Sequence, residues 1–335
     1  MAPAAPNMPF IKNMASSDRK IRTQALDTLK TFLSTKYAAA YAAPLTFNDA
    51  EKLWAGLFYA LWMADRAPVQ QRLCAEIADI PASLKLPNAS VAAWLRAFWA
   101  TMARQWTTGI DVLRMDKFLL LVRRVLASQF VWMAGVVDEE GNSTAVAAEE
   151  GSDLTEAQTL GLSILTNWPF NVDAEARTDE TTNSSSDEDD DDDDTVGDDM
   201  VDIDNDGNER PRKRSRQRKG RAPRKPLTVT VHLPVGLVIH VVDIWVDEAE
   251  KAKLFVSKVA DSNGKDTLGY RVHVLVEALA AKTTFPAVRQ RSREALEDER
   301  LPWNTSSAET TGGIEGVADD DDADSNDGSW DGFND

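Results

Sequence analysis

TTGIDVLRMDKFLLLVRRVLASQFVWM, Thr107–Met133, is apolar on nearly every side when wound as a helix. Phe118, Leu119, Leu120, Leu121, Val122, Val125 and Leu126 leave only a narrow polar stripe of Asp116, Lys117, Arg123, Arg124 and Ser128. A helix of this kind is buried between other helices. The spacing predicts that it begins around a break at Gly109, capped by Thr108 with Asp111, and runs to about Met133.

Neighbouring stretches supply helices to surround it. Residues 18–35 repeat Ile21, Ala25, Leu29 and Phe32 at helical period. Asn48 with Glu51 fits a capping box before the pairs Leu53/Trp54, Leu57/Phe58 and Leu61/Trp62. Pro68 opens a stripe of Val69, Leu73, Ile77 and Ile80, and Ser90 fits as a cap before Val91, Leu95, Phe98, Met102 and Trp106. Residues 153–167, 267–282 and 287–300 also read as helices. Between them, LTVTVHL and GLVIHVVDIWV are rich in β-branched residues and read as strands by propensity. The spacing of Leu237, Val241, Ile244 and Glu248 equally suits a helix over 237–256. The expected fold class is all-α, as stacked helical pairs in an α-solenoid or as an irregular bundle. Six of the ten tryptophans lie between positions 54 and 132, where core packing is the simplest use for them.

Charge divides the 335-residue chain. Residues 1–172 are net neutral, 173–209 carry −17, 210–225 carry +10 and no acid, and 304–335 carry ten acids and no base. Runs such as Asp187–Asp194 repel themselves and bury nothing, so they cannot offset the entropy of ordering. The expected organisation is a helical body over 1–172, a disordered acidic-then-basic insertion over 173–226, a second part of the body over 227–303 and a disordered acidic tail over 304–335.

Several classes of function lose support. One cysteine, Cys74, forms no internal disulfide, and three scattered histidines build no structural zinc site. The opening MAPAAPNMPFIKNM lacks the pattern of a secretory signal, and no run of 18 apolar residues suggests a membrane span. No phosphate-cradling glycine loop is present, and carboxylates in mobile acidic tracts cannot hold two-metal geometry. The expectation is a protein that is not an enzyme, with no cofactor and no small-molecule substrate. Cys74, on an apolar stripe, reads as a buried inert thiol. His240 and Asp243, one helical turn apart, are placed for a local hydrogen bond.

The run RPRKRSRQRKGRAPRK supplies Arg210, Arg212, Lys213, Arg214, Arg216, Arg218, Lys219, Arg221, Arg224 and Lys225. Such a cluster suits the acidic groove of a nuclear import receptor or the phosphates of RNA; the bland alternative is a solvated linker. The acidic tract before it is placed to compete with RNA for these bases. Ser184, Ser185 and Ser186 each have an acid three residues on, a pattern for an acidophilic kinase.

Two strings, LWAGLFYALWMADRAP (53–68) and AFWATMARQWTTGIDVLRMDKFLLLVRRVL (97–126), closely resemble the nucleolar ribosomal RNA-processing protein 1 family. The matching positions are Trp54, Gly56, Leu57, Phe58, Tyr59, Trp62 and Asp65, then Phe98, Trp99, Thr101, Met102, Arg104, Trp106, Gly109, Ile110, Asp111, Arg114, Asp116, Lys117 and Phe118. A third signature is echoed by Pro234, Gly236, Leu237, His240, Asp243, Ile244, Asp247 and Glu248. Ala55 replaces the family's lysine, and Ala249 replaces the last residue of its Asp-Glu-Leu triplet. The resemblance implies a helical nucleolar factor for maturation of the large ribosomal subunit. It implies partners among other assembly factors of the pre-60S particle, with pre-ribosomal RNA contacted directly or through them, and it supports helix over 237–256. A different class, an acidic chaperone for histones or basic ribosomal proteins, is suggested by the aspartate tracts alone.

Overall fold

The computed structural model describes residues 8, 10–38, 42–135, 154–178, 229–257 and 263–304. Ten α-helices follow in order: α1 Phe10–Met14, α2 Arg19–Tyr37, α3 Phe47–Trp62, α4 Ala67–Ser83, α5 Asn88–Thr108, α6 Met115–Ala134, α7 Glu156–Asn167, α8 Val235–Lys251, α9 Leu268–Lys282 and α10 Pro286–Leu296. Two short strands, β1 Glu175–Thr178 and β2 Val229–His232, lie between α7 and α8. The all-α expectation agrees with this architecture.

The helices stack in two rows. In one, α1 packs on α3, α3 on α5, α5 on α7 and α7 on α9; in the other, α4 packs on α6, α6 on α8 and α8 on α10. An ion pair from Lys30 to Glu76 ties α2 to α4 and so extends the second row. Most helices therefore meet the helix two places on, as stacked helical pairs do. One continuous apolar core runs from Met8 to Trp303. Seven tryptophans, at 54, 94, 99, 106, 168, 245 and 303, are buried in it, whereas Trp62 and Trp132 are half-buried. Each large apolar side chain contributes ~1.5–3 kcal/mol on full burial.

Three expected caps fall elsewhere. Thr46, not Asn48, caps α3, its hydroxyl accepting the Asp49 N–H at 3.2 Å, while Glu51 turns to Arg104 on α5. Helix α5 begins at Asn88, after Pro87; Ser90 is fully buried inside it and accepts the N–H of Leu45 at 3.0 Å. Thr108 closes the last turn of α5, donating to the Arg104 carbonyl at 3.0 Å. Asp111 instead caps a single 3-10 turn, Val112–Arg114, accepting the Arg114 N–H at 3.0 Å before α6 starts at Met115. In each case a tertiary partner or a shifted start outcompetes the local pattern.

The stretch left between strand and helix resolves into both. VTVH of LTVTVHL is β2, and GLVIHVVDIWV lies in α8. The strands pair antiparallel, from Glu175 opposite His232 to Thr178 opposite Val229, with Ala176 and Val231 facing the core. Residues 173–178, expected to lack order, are thus tied to the body. The chain leaves at Thr178 and returns at Val229, its partner across the ladder. The residues between them lie outside the described ones.

Gly269, in the first turn of α9, allows a close approach. A Cβ there would collide with the Phe255 ring and stand 2.9 Å from the Leu254 carbonyl. Within a helix, replacing glycine by alanine normally stabilises by about 1 kcal/mol. Gly269→Ala is expected to reverse that sign and cost about 1–3 kcal/mol through overpacking, read by urea unfolding.

Candidate interaction face on helix α6

Helix α6 brings the three sequence motifs together. The first motif ends at the C-terminus of α3, the second crosses from α5 into α6, and the third lies on α8. In the first, Trp54 and Leu57 are fully buried. The Trp54 indole donates to the Trp94 carbonyl at 2.9 Å and its ring lies 4.9 Å from that of Phe98. Gly56 faces α1, where a Cβ would stand 2.9 Å from the Met14 sulfur. In the second, Trp99 donates to Gln129 Oε1 at 3.1 Å, and Gln129 donates on to the Gly161 carbonyl at 3.4 Å, linking α5, α6 and α7. Trp106 is buried, Gly109 ends α5, and Arg104 pairs with Glu51.

Lys117 is the polar centre of the arrangement. It is 4% exposed, and its ammonium donates to the carbonyls of Trp62 at 2.7 Å and Ala64 at 2.9 Å. These carbonyls end α3, where the helix dipole favours a cation. Burial, with the nearby Arg114 guanidinium, holds the ammonium below its ordinary lysine value. Lys117 forms no ion pair with Asp116 or Asp111 among the described residues; Arg114 pairs with Asp111 and lies over the Trp62 ring, 4.6 Å from its centroid. Asp65 borders a cleft of about 270 Å³ with Gln70, Leu113, Arg114 and Asp116.

The third motif is held to α6 by three hydrogen bonds. His240 Nε2–H donates to the Leu119 carbonyl at 3.0 Å, and burial pushes this histidine below its ordinary value. Asp243 does not bond to His240; it faces Arg291 of α10 at 3.6 Å. Arg123 reaches from α6 to Glu248 and Asp247, both at 2.6 Å. Burial pushes Asp247 up, but hydrogen bonds from Arg300 and Arg123 more than offset it and leave the carboxyl below the usual range. Arg300 also joins Asp298 and Glu250. Its part was not legible in sequence, because it lies 53 residues from Asp247.

Two exposed residues escaped the reading of motifs. Val112 and Leu113, in the 3-10 turn, are 88% and 93% exposed. Tyr59, three residues before Trp62 on α3, is 48% exposed. The adjacent apolar pair just after Gly109 is the only sequence signal, and a helix over 108–133 conceals it.

Chemistry of a bond-making kind finds little here. Burial raises the Cys74 thiol to about 12, in line with an inert thiol. Among the described residues no group of three or more His, Cys, Asp or Glu could hold a metal ion, and no helix is long and apolar enough to cross a membrane. The ten bases from Arg210 to Lys225 and the serines Ser184, Ser185 and Ser186 lie outside the described residues.

Two predictions follow from this packing. Lys117→Met leaves two carbonyls without their charged donor and is expected to cost roughly 1.5–3 kcal/mol in urea unfolding. His240 and His273 are both held below 6.5 by burial, so the fold favours their neutral forms. Their stabilisation is complete above that value and is lost as pH falls through the folded values. The urea midpoint should therefore drop on acidification below about pH 6.5, and His240→Gln with His273→Gln should flatten that slope.

The match to a protein family falls on the same region. Residues 5–149 match the family described as nucleolar protein, Nop52. Human ribosomal RNA processing protein 1 homolog B is 34% identical over 132 residues, 39% of this chain and 17% of that protein. Human homolog A is 35% identical over 121 residues, 36% of this chain and 26% of that protein. The Drosophila melanogaster homolog is 31% identical over 122 residues, 36% of this chain and 17% of that protein. The aligned stretch thus spans at most about a quarter of each of these three relatives. Residues 5–149 contain both motifs that meet at Lys117, and over that stretch the chain is similar to the Nop52 family of nucleolar proteins.

Proposed function

We propose that the helical body is a non-catalytic assembly factor of the pre-60S particle, required for processing of large-subunit precursor rRNA in the nucleolus. It acts by binding. The body is one rigid member, and it favours one arrangement of the components that grip it. The relatives' names carry ribosomal RNA processing, which supports the pathway. The observation that carries the mode of action is Val112–Leu113, which stands in water beside motif residues whose own polar groups are engaged within the chain: Lys117 inside the fold, Arg114 with Asp111 at the surface. An apolar pair this exposed is the kind of anchor a partner covers.

Other pre-60S assembly factors are the proposed partners at this face, with pre-ribosomal RNA contacted directly or through them. The basic run Arg210–Lys225 addresses the chain to an import receptor or to rRNA phosphates, and phosphorylation at Ser184, Ser185 or Ser186 adds further negative charge before it.

Depletion of the protein is expected to accumulate an unprocessed large-subunit rRNA precursor; normal precursor levels overturn the reading. Val112→Asp with Leu113→Asp is expected to weaken co-sedimentation with large-subunit precursor particles about tenfold, the loss of one interface anchor, while leaving the melting curve near the parent's. Deleting 179–209 and 305–335, which spares β1 and Asn304, separates this reading from an acidic chaperone: a scaffold still enters the particle, whereas a chaperone loses its activity.

A further inference from the structure

We infer that a cleft between α5, α7 and α9 is the docking site of the chain's own acidic, aromatic C-terminal segment, Asp327–Asp335. The cleft has a volume of about 610 Å³, and its apolar wall includes Leu275 and Ala278 of α9. Arg96 of α5 and Arg177 of β1 line it, and neither guanidinium has an ion pair or side-chain hydrogen bond among the described residues. Asp173 is the one carboxylate on the lining, so these three side chains sum to a positive charge. Trp168 also lines it, and its buried indole N–H has no acceptor among the described residues. The site therefore offers paired cations beside an apolar surface. That chemistry takes a peptide carrying both carboxylates and large apolar side chains.

The segment DGSWDGFND has this composition, with Trp330 and Phe333 set among Asp327, Asp331 and Asp335. The acidic run at 187–194 has carboxylates and no aromatic. The path is short as well. Trp303 donates to His273 Nδ1 at 3.1 Å, which fixes the start of the tail on α9. Leu275 and Ala278 follow His273 on that helix, within about one and a half turns. A linker of some twenty residues reaches up to about 70 Å, far beyond what this site requires. Docked there, the segment shields Arg96 and Arg177 from other polyanions.

The test uses the full chain with a benzophenone amino acid at Phe333. At low salt, crosslinks are expected on peptides spanning 160–173 and 268–282. Arg96→Glu with Arg177→Glu should reduce them about tenfold, as should salt raised to about 1 M, where screening is nearly complete. Trp330→Ala in the same chain, with the melting curve checked against the parent's, should also reduce them severalfold. A synthetic peptide of residues 319–335 should compete, and one of residues 183–199 should not. Crosslinks scattered over the body, or unchanged by the charge reversals, overturn the proposal. So does a single-stranded RNA oligonucleotide binding through Arg96 and Arg177 while the 319–335 peptide does not.

Discussion

Helix α6 has only a narrow stripe it can leave in water, and the rest of the molecule is arranged around that constraint. Phe118, Leu121, Val122, Leu126, Phe130 and Met133 are fully buried, so neighbours must cover the helix on several sides. Helices α4, α7 and α8 do so. The few polar groups it carries are then obliged to find partners inside the fold, because an unpaired buried group costs more than a formed hydrogen bond returns. Lys117 takes the carbonyls of Trp62 and Ala64, at and just past the end of α3, Gln129 bridges α5 and α7, and Arg123 crosses to α8. These three side chains fix the angles at which the neighbours meet α6, which apolar packing alone specifies less strictly.

The same body accommodates a long polyelectrolyte segment at small energetic cost. The segment leaves and returns across one antiparallel pair, Thr178 beside Val229. Closing a loop of this length costs only a logarithmic entropy term, so fifty residues can be added where ten would fit. The body on either side then shares one core.

Exposure, rather than reactivity, marks the surface. The tryptophans that dominate the composition are mostly internal, and what the α3–α6 corner offers to water is Tyr59, Val112 and Leu113 with the Asp111–Arg114 pair between them. The 3-10 turn explains it. A continuous helix from Asp111 would have carried Val112 and Leu113 into its first turn; the tighter turn holds them out in water. Holding two aliphatic side chains in solvent forgoes a few kcal/mol of burial, a cost that a covering partner removes.

The amino-acid pattern by itself determined the helical class, the positions of most helices to within a few residues, the neutral body and the charged segments. Those properties depend on local period and composition, which are written residue by residue. The residues of the motifs were also legible, from Trp54 to His240, but their roles were not. That Lys117 would serve α3, that Asp243 would face Arg291 rather than His240, and that Ser90 would receive Leu45 depended on partners tens of residues away. LTVTVHL and GLVIHVVDIWV have similar β-branched content, yet the first pairs with β1 and the second winds against α6. Only tertiary structure chose between them: a strand needs an edge to pair with, a helix needs a groove to fill, and neither is a property of the segment alone.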